Sequence, residues 1–215
     1  ARDWLGDARR YYANIVGKFG PQVQALLKKA AGLEIARICP LHGPVWREDI
    51  GWYMDKYQKW STYTPEDRAV AIFCGSVYGR TENAAEILAA RLAEKGVRNI
   101  ALYDVSATHV SQLVSEAFRC SHLVLACSTY NNGLFPPMES LLLELKVHSL
   151  QNRTVALVEN GTWATLSGKL MREFVESMKN MTLLEDPVTL KSSVKAQQRT
   201  CLEALADKLA ADLLG

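Results

Sequence analysis

The sequence lacks the features that identify several large classes of protein. Its 215 residues carry a formal net charge of only +2, and no run of Lys and Arg alternates with aromatic residues, so we expect no nucleic-acid partner. The apolar stretches are short and interrupted by charged residues, which predicts no membrane-spanning helix. No signal peptide is visible, and a start at Ala1 rather than Met indicates a processed product or an excised fragment.

The cysteines also lack the spacing of a metal or redox site. Cys39, Cys74, Cys120, Cys127 and Cys201 are scattered along the chain and form no C-x-x-C pair. Three of them lie in or beside apolar runs, where cysteine usually acts as a small hydrophobic residue. An odd number of cysteines without metal-site spacing favours a reducing, cytoplasmic location.

A regular alternation of apolar runs and helical patterns begins at Ala69. Strand-like runs occupy residues 69–75, 99–104, 121–128 and 153–159, and a less clear last strand covers 181–184 with a continuation at 187–190. Helical patterns occupy residues 82–96, 109–118, 137–148, 168–179 and 196–213. The runs are continuously apolar, as in strands that are covered on both faces. The pattern therefore predicts an α/β domain with a doubly wound parallel sheet of about five strands.

The first 60 residues follow a different pattern and predict a small, mostly helical unit. Helical spacing covers residues 7–18, 21–31 and 49–60, and residues 34–39 resemble a short strand. Residues 40–44 contain two prolines and a glycine, so they must form a loop. The polar stretch after residue 60 resembles a linker. We therefore expect a first unit at residues 1–60, a linker at 61–68 and a second domain at 69–215.

The connection after the first strand has the composition of a phosphate-binding loop. Residues 76–82 have the sequence SVYGRTE and separate an apolar run from a helix. The unpaired N–H groups and the dipole of a helix N-terminus favour an anion, and Ser76, Tyr78 and Thr81 add hydroxyl donors. Gly79 permits close approach of the backbone, while Arg80 either contacts the phosphate or, as we prefer, points to water.

The kind of phosphate ligand follows from motifs that this loop does not match. It contains neither G-x-x-x-x-G-K-[ST] nor G-x-G-x-x-G, which argues against ATP and dinucleotides as ligands. A phosphate monoester bound mostly by neutral donors remains, and flavin mononucleotide (FMN) suits such a loop. An ordinary capped connection between a strand and a helix is the alternative for this loop taken alone.

A second loop, residues 127–137, follows the third strand and is rich in groups that can form hydrogen bonds. In a flavin site Tyr130 could cover a ring face, Asn131 and Asn132 could bind the ring edge, and Gly133 would permit a tight turn. Ligands of doubly wound folds bind at the carboxyl ends of the strands, where this loop and the first one are expected to meet. For the second loop taken by itself, we favour an ordinary connection whose Asn-Gly and Pro-Pro pairs end a strand and start a helix.

A third loop, residues 159–165, follows the fourth strand. Trp163 is placed to stack on the flavin ring while Asn160 and Gly161 supply N–H groups to it. The alternative is that Trp163 packs under the following helix. Considered together, the three loops favour a flavin over a phosphoacceptor site or a G-x-S-x-G hydrolase. The predicted FMN-binding residues are Ser76, Val77, Tyr78, Gly79, Arg80, Thr81, Ser128, Thr129, Tyr130, Asn131, Asn132, Gly133, Asn160, Gly161, Thr162 and Trp163.

On these motifs the chain resembles the flavodiiron proteins (A-type flavoproteins) over essentially its whole length. It is similar to their C-terminal flavodoxin-like domain, preceded by the tail of their metallo-β-lactamase-like domain. The matching stretches are residues 39–46 (CPLHGPVW), 76–82, 128–137 and 160–163, and the first is the most specific. The third loop departs from the family because the Tyr that often precedes its Trp is absent. Which side chain covers the outer face of the flavin is therefore left open.

The resemblance implies that His42 is the last ligand of a non-haem diiron site in the full-length parent. Imidazole suits iron, and a loop of Pro and Gly can hold it rigidly. The other ligands of the family come from an upstream H-x-E-x-D-H stretch and from further His and Asp residues that this chain does not contain. We therefore expect His42 to bind no iron in this chain.

The function implied by the resemblance is electron transfer within an FMN-dependent oxidoreductase. The parent enzyme would reduce dioxygen or nitric oxide at the diiron site, with electrons supplied by rubredoxin or a flavoprotein reductase. Transfer in the family is thought to cross a head-to-tail homodimer. This role needs no catalytic acid, base or nucleophile in the present chain, and we expect none.

Two other functions stay open at this point. One is an FMN-dependent reductase of quinones or nitro compounds, although no nicotinamide-binding motif is visible. The other is a stand-alone flavodoxin-like electron carrier, which would have no use for the first 60 residues. Apolar residues in that unit, including Leu5, Tyr12 and Leu26, need a partner surface, so we expect an exposed apolar patch or packing on a second copy.

Overall fold

The computed structural model describes residues 2–215 and has a parallel sheet at its centre. The strands are β1 (Asp67–Gly75), β2 (Ile100–Asp104), β3 (Cys120–Tyr130), β4 (Gly133–Leu134), β5 (Thr154–Asn160), β6 (Thr182–Leu183) and β7 (Val188–Leu190). Their order is β2-β1-β3-β5, with β6 and β7 both pairing in parallel with β5. The predicted doubly wound arrangement is confirmed, since the chain runs outward from β1 in both directions.

The helices cover both faces of this sheet. They are α1 (Leu5–Tyr11), α2 (Gly20–Ala30), α3 (Ile50–Ser61), α4 (Arg80–Glu94), α5 (Val110–Arg119), α6 (Pro136–Val147), α7 (Ser167–Glu176) and α8 (Ala196–Leu214). Side chains of α4 and α8 form one buried cluster with Ile72, while α5, α6 and α7 form another with Phe73. Because neighbouring residues of a strand point to opposite faces, a continuously apolar strand supplies both layers. Within residues 2–215 no helix is both long and apolar enough to cross a membrane.

The fifth position of the sheet is divided between two short strands. β6 pairs with the start of β5 and β7 with its end, so the predicted last strand and its continuation are both confirmed. Pro187 immediately precedes β7 and has no N–H to give to a ladder, which explains the interruption. As a result, the chain after β7 reaches the same edge of the sheet as the ends of β1, β3 and β5.

The amino-terminal unit is helical, but its details differ from the prediction. After α1 the chain continues through a π-helical turn at Tyr12–Val16 and a 3₁₀ turn at Gly17–Phe19 before α2 begins. The strand predicted at residues 34–39 is wrong: Ile38 forms only a single antiparallel bridge with Trp46. The prolines at both ends of the loop between these two residues prevent a longer ladder. α3 extends to Ser61 and β1 starts at Asp67, so the linker is shorter than predicted.

The amino-terminal unit packs against the α5 face of the sheet domain. Tyr12 and Trp60 are fully buried in the same cluster as Leu113 and Phe118 of α5. Leu26 and other apolar side chains of the unit are exposed, and the expected apolar patch or packing on a second copy stays a prediction. The division at residues 60–69 stays a prediction, since the two parts share a core.

Charged groups buried between these two parts hold them together. The Arg9 guanidinium donates to Glu66 at 3.1 Å, to Glu116 at 3.1 Å and to Ser115 at 3.2 Å. All three of the charged side chains are almost completely buried. Removing one member would leave an uncompensated charge in the interior, so the network restricts how the amino-terminal unit can sit on α5.

A second buried arginine, Arg153, bonds to the chain between α3 and β1 and to the end of α5. Arg153 is 2% exposed, and its guanidinium donates to the backbone. The acceptors are the carbonyl oxygens of Tyr63 (2.7 Å), Gln151 (2.8 Å), Phe118 (2.8 Å), Ala117 (3.0 Å) and Asn152 (3.1 Å). Arg153 therefore ties the end of α5 and the chain before β1 to the start of β5.

Replacing Arg153 should destabilise the fold strongly. In Arg153→Met the five carbonyl groups lose their donor, and we expect a loss of about 3 kcal/mol in the free energy of unfolding. Arg98 is exposed, so Arg98→Met is the matched control and should change stability by less than about 0.5 kcal/mol. Urea denaturation followed by circular dichroism measures both values. Equal stability of the two variants would contradict this role of Arg153.

Candidate functional site

A cavity of about 580 Å³ lies at the carboxyl end of the sheet, where the loops after β1, β3, β5 and β7 meet. Its volume is typical of a small-molecule site. Predicted site residues in its wall are Val77, Tyr78, Arg80, Ser128, Thr129, Tyr130, Asn131, Asn132, Asn160, Gly161, Thr162 and Trp163. Ser76, Gly79, Thr81 and Gly133 were also predicted and do not line the cavity. The structure therefore brings the three predicted loops together around one space.

The first loop ends at the N-terminus of α4. Gly79 precedes the helix with φ of 78°, a conformation that glycine adopts without strain. The Ser76 hydroxyl is buried and has no hydrogen-bond partner among residues 2–215. A buried hydroxyl without a partner costs free energy, so Ser76 is a group that a ligand could satisfy. Arg80 lies in the wall, which leaves both predicted positions of its guanidinium possible.

Thr81, predicted as a direct phosphate donor, forms hydrogen bonds to two neighbouring loops, and its contact with a phosphate stays a prediction. Its side chain is 0% exposed and lies behind the cavity wall. Its hydroxyl lies 2.8 Å from the Ser128 hydroxyl and accepts a hydrogen bond from the Asn160 amide at 3.2 Å. Thr81 is the second residue of α4, where the helix turns its side chain inward. It therefore connects the loops to one another.

The second loop contains a hairpin that the sequence analysis did not predict. β3 continues to Tyr130, and β4 pairs with it in antiparallel register. Asn131 and Asn132 form the turn between them with φ of 47° and 59°, as in a two-residue turn of type I′. The tight turn predicted at Gly133 is therefore made by the two asparagines, and Gly133 belongs to β4. Both asparagines still line the cavity.

The third loop places an unpacked indole at the mouth of the cavity. Trp163 is 101% exposed, so the alternative in which it packs under α7 is wrong. The N–H group of Gly161 donates to the Leu190 carbonyl at 3.2 Å. The predicted donation from Gly161 to a flavin ring is therefore wrong, because that hydrogen already has an acceptor in β7.

The N-terminus of α7 is closed by side chains from the sheet. Thr129 Oγ1 accepts hydrogen bonds from the N–H groups of Leu166 and Ser167 at 3.0 and 3.2 Å. A carboxylate oxygen of Glu159 accepts from the N–H of Gly168 at 2.9 Å. The Glu159 carboxylate therefore serves as the anion at the first turn of α7, and this helix N-terminus is already occupied from within the fold. Of the helix N-termini beside the cavity, that of α4 is the one suited to a bound anion.

Ser192 lines the cavity and was missed by the sequence analysis. It follows β7 and has φ of 69°, and its backbone exchanges two hydrogen bonds with the Asn160 side chain, both at 2.9 Å. A signal for it existed: the predicted last strand runs parallel to its neighbours, so the loop after it must reach the same edge.

The cysteine beside the site is a packing residue. Cys127 lies at the carboxyl end of β3 and is fully buried, which raises the pKa of its thiol to about 12. Burial likewise raises the pKa of Cys74 to about 12. Neither thiol is ionised near neutral pH, so neither is a candidate nucleophile or metal ligand.

His42 lies far along the chain from these loops, in a second cavity of about 370 Å³ in the amino-terminal unit. Its ring centroid lies 5.2 Å from that of Tyr11, and Trp46 and Tyr53 stack nearby at 3.8 Å. Within residues 2–215 no group of three or more His, Cys, Asp or Glu side chains is placed to hold a metal ion. The described residues therefore do not form a diiron site, and His42 is at most one ligand of a site completed elsewhere.

Comparison with known proteins matches residues 72–181 to the flavodoxin family. The chain is 29% identical over 215 residues to the rubredoxin-oxygen oxidoreductase of Megalodesulfovibrio gigas, which covers 94% of this chain and 53% of that protein. It is 30% identical over 163 residues to the anaerobic nitric oxide reductase flavorubredoxin of Aeromonas hydrophila subsp. hydrophila, which covers 74% of this chain and 32% of that protein.

A solved structure resembles the present one over nearly all of its length. The rubredoxin oxygen:oxidoreductase from Desulfovibrio gigas has a TM-score of 0.84 and 28% sequence identity, over 96% of this chain and 52% of that one. The present chain therefore spans about half the length of the first of these curated relatives and of this structural neighbour. The similarity extends through the amino-terminal unit as well as the sheet domain.

Substituting Gly161 should disturb the loop that carries Trp163. A Cβ atom at this position would lie 1.9 Å from the Ala164 carbonyl oxygen, so the loop must move. We expect Gly161→Ala to lower the free energy of unfolding by about 2 kcal/mol. Gly133→Ala is the matched control, because its nearest neighbour lies 3.5 Å away. Chemical denaturation measures both; a Gly161 variant as stable as the control would show that the loop is not restricted in this way.

Proposed function

This chain belongs to the flavodoxin family, and from that premise we propose that it binds FMN and transfers electrons within a flavodiiron-type oxidoreductase. The observation that carries the proposal is the meeting of the three predicted loops around one cavity beside the open N-terminus of α4. A phosphate monoester and an aromatic ring need different surroundings, and the two ends of this cavity differ in the corresponding way.

The α4 end of the cavity suits the phosphate group. Unpaired N–H groups of the first helical turn and the helix dipole favour an anion there. The Ser76 hydroxyl lies behind this wall without a partner, and a phosphate oxygen would accept its hydrogen once the loop at residues 76–79 opens to the ligand. Arg80 in the wall adds a positive charge. Glu82, in the same turn, opposes part of that charge, so neutral donors should contribute much of the affinity.

The opposite end suits the isoalloxazine ring. Trp163 is free of contacts with the rest of the fold, and Tyr130 is half-exposed at the same mouth. Aromatic side chains of this kind cover ring faces, and the turn asparagines can exchange hydrogen bonds with the ring edge. Gly161 leaves the wall open to the ring, although its N–H is not available to it.

The chemistry that FMN supplies when bound is reversible acceptance of one or two electrons. The residues of the chain position the group and shield it, and none has to act as an acid, a base or a nucleophile. Cys74 and Cys127 beside the site are protonated and buried, which fits this passive role. Tyr78 and Trp163 line the cavity and are both exposed, which leaves a route for electrons to a partner.

The parent enzyme and its partners are inferred from the relatives. Their names describe a rubredoxin-oxygen oxidoreductase and a nitric oxide reductase, so we propose rubredoxin or a flavoprotein reductase as donor and dioxygen or nitric oxide as final acceptor. Iron would be bound mainly by residues outside this chain, with His42 as one ligand. A cytoplasmic homodimer that brings the flavin of one subunit near the iron of the other completes the proposal.

The buried junction between the amino-terminal unit and α5 favours this function over a stand-alone carrier. Arg9 holds the unit in place through buried bonds to Glu66 and Glu116, and a small diffusing carrier has no need of the unit. The unit also carries His42, which ties it to the metal-containing part of the parent.

Titration of the flavin-free chain with FMN, FAD and riboflavin tests the proposal. We expect the absorption bands of oxidised flavin, one FMN per chain, and affinity for FMN at least about tenfold above that for riboflavin, because the phosphate contacts are charge-assisted. Failure of every flavin to bind would contradict the proposal. Equal affinity for FMN and riboflavin would contradict the phosphate site but retain a ring site.

The Ser76→Ala variant should lose affinity for FMN selectively. Loss of one hydrogen bond to a charged group corresponds to about a tenfold or greater weakening, while riboflavin binding should stay within about twofold. Ser106→Ala is the control, since Ser106 follows β2 at the same edge of the sheet and is exposed. Fluorescence titration measures all of these affinities. A parallel loss for both ligands would place Ser76 away from the phosphate.

The Trp163→Ala variant should weaken FMN and riboflavin alike. The indole would cover the ring that both ligands share, and loss of an aromatic pair corresponds to about a 3- to 10-fold change. Trp163→Phe keeps an aromatic face and should recover most of the affinity. The same titration provides the measurement. Unchanged affinity for both ligands in the alanine variant would exclude Trp163 from the ring site.

A further inference from the structure

Four aromatic residues of the amino-terminal unit lie in contact, from the wall of the cavity that contains His42 to the junction with the sheet domain. We call these residues, Trp46, Tyr53, Tyr57 and Trp60, the aromatic path. The ring centroids of consecutive members lie 3.8, 5.2 and 5.2 Å apart. The first three members line the His42 cavity, whereas Trp60 is fully buried at the junction.

We propose that the aromatic path carries oxidising equivalents away from the His42 cavity, and that Trp60, with Glu66 as its proton acceptor, is where they come to rest. Indole and phenol rings are among the side chains that lose one electron most readily. A one-electron oxidant formed from dioxygen in the cavity would take its electron from Trp60 through rings in contact, which spares His42. In this respect the inference rests on the proposed function, since partly reduced oxygen species arise where dioxygen is reduced.

The two indoles at the ends of the aromatic path differ in whether they can release a proton. Nε1 of Trp46 is buried and has no hydrogen-bond partner among residues 2–215. Nε1 of Trp60 donates to Glu66 Oε2 at 2.9 Å, a distance suited to direct proton transfer. An indole that has lost an electron is a much stronger acid, and a buried positive charge without a partner is costly. The oxidised state is therefore unstable on Trp46 and becomes a neutral radical on Trp60.

The tyrosines beside these indoles are bridges for the electron and not end points. A phenol that loses an electron must also release its proton, and burial raises the pKa of the Tyr53 phenol, which keeps the proton in place. Tyr12 contacts both Tyr57 and Trp60, but its buried hydroxyl has no partner in the described part of the chain. Tyr12 therefore has no proton acceptor either.

Positive charge opposes a side branch of the path at Trp52. The Trp52 ring lies 6.1 Å from that of Trp46, so an electron could also pass in this direction. However, Arg2 Cζ and Lys56 Nζ lie 4.9 and 5.3 Å from the centre of the Trp52 ring. Two cations beside the ring disfavour a further positive charge on it. The branch is therefore less favourable than Trp60, where a carboxylate receives the proton.

The complete step balances in electrons and protons. The oxidant in the cavity gains one electron, Trp60 loses it, and the hydrogen on Trp60 Nε1 moves as a proton to Glu66 Oε2. Arg9 donates to the same oxygen at 3.1 Å and Lys56 lies 3.7 Å from the other, so the carboxylate is held in position. A one-electron reductant in solution, such as ascorbate, reverses the step when Glu66 returns the proton.

Photochemical oxidation from Cys39 tests the proposal without iron or flavin. Cys39 is exposed and precedes Pro40, which lines the cavity, so a ruthenium(II) tris(bipyridine) label on this thiol lies beside the path. Cys201→Ser removes the other exposed thiol, and Trp4→Phe removes an exposed indole from the same cavity wall. A light flash with an electron acceptor in solution turns the label into a one-electron oxidant. Transient absorption and EPR spectroscopy of the flavin-free chain then measure the yield of neutral tryptophan radical.

We expect the labelled chain to form a neutral tryptophan radical that depends on Trp60. Trp60→Phe keeps an aromatic ring and should lower the yield at least about tenfold, since a positioned proton acceptor typically contributes about 10²-fold or more. Trp52→Phe is the matched control on the same helix and should leave the yield unchanged. Glu66→Gln keeps the shape of the side chain but removes the base, so the spectrum should change to that of a tryptophan radical cation. If Glu66→Gln does not fold because Arg9 loses its partner, the two tryptophan variants carry the test.

Several results would overturn the proposal. Absence of a tryptophan radical from the labelled chain, or equal yields in the Trp60 and Trp52 variants, would show that the aromatic residues only pack. A loss of radical in the Trp52 variant alone would show that the oxidising equivalent leaves through that ring. A neutral radical in folded Glu66→Gln would contradict the role of Glu66 as proton acceptor. Because no flavin takes part, each of these results is distinct from a failure of the chain to bind FMN.

Discussion

The side chain of Asn160 makes the hydrogen bonds on which the rest of the site depends. It stands at the end of β5 and joins the loop after β7, through Ser192, to the start of α4, through Thr81. Thr81 continues the connection to Ser128 at the end of β3. The parallel sheet brings these strand ends to one edge, and the polar chain determines how far apart the loops stand. Because Thr81 and Asn160 are buried, an unpaired group on either side chain would be costly, which restricts how the loops can be arranged.

Electrostatics then distinguishes the two helix N-termini at this edge. Glu159 supplies the first turn of α7 with a carboxylate from within the fold, and Thr129 satisfies two more of its N–H groups. The first turn of α4 carries Glu82, but Gly79 at its start supplies no side-chain cap, and a buried serine hydroxyl next to it has no partner within residues 2–215. A phosphate is therefore directed to α4. The ring end is shaped differently, by the exposed indole of Trp163 and by a turn whose asparagines adopt left-handed conformations.

Much of the fold could be predicted because apolar periodicity is a local property of the sequence. Continuous runs such as residues 69–75 and 153–159 indicated strands buried on both faces, and the three loops followed from the strand ends. The direction of individual groups could not be predicted in this way. Whether Thr81 faces a ligand or the interior depends on contacts with residues 128 and 160, and the use of the Gly161 N–H depends on β7. Residues 34–39 have a composition suited to a strand, but the prediction was wrong because a strand also needs a neighbouring strand to pair with. Ile38 forms only a single bridge, with Trp46.

A crystal structure of the chain with bound FMN tests the central claim most directly. The account predicts that the phosphate lies against the first turn of α4 with an oxygen within hydrogen-bond distance of Ser76 Oγ, and that Trp163 or Tyr130 covers the ring. A phosphate bound elsewhere, or a ring outside the cavity lined by the three loops, would contradict it.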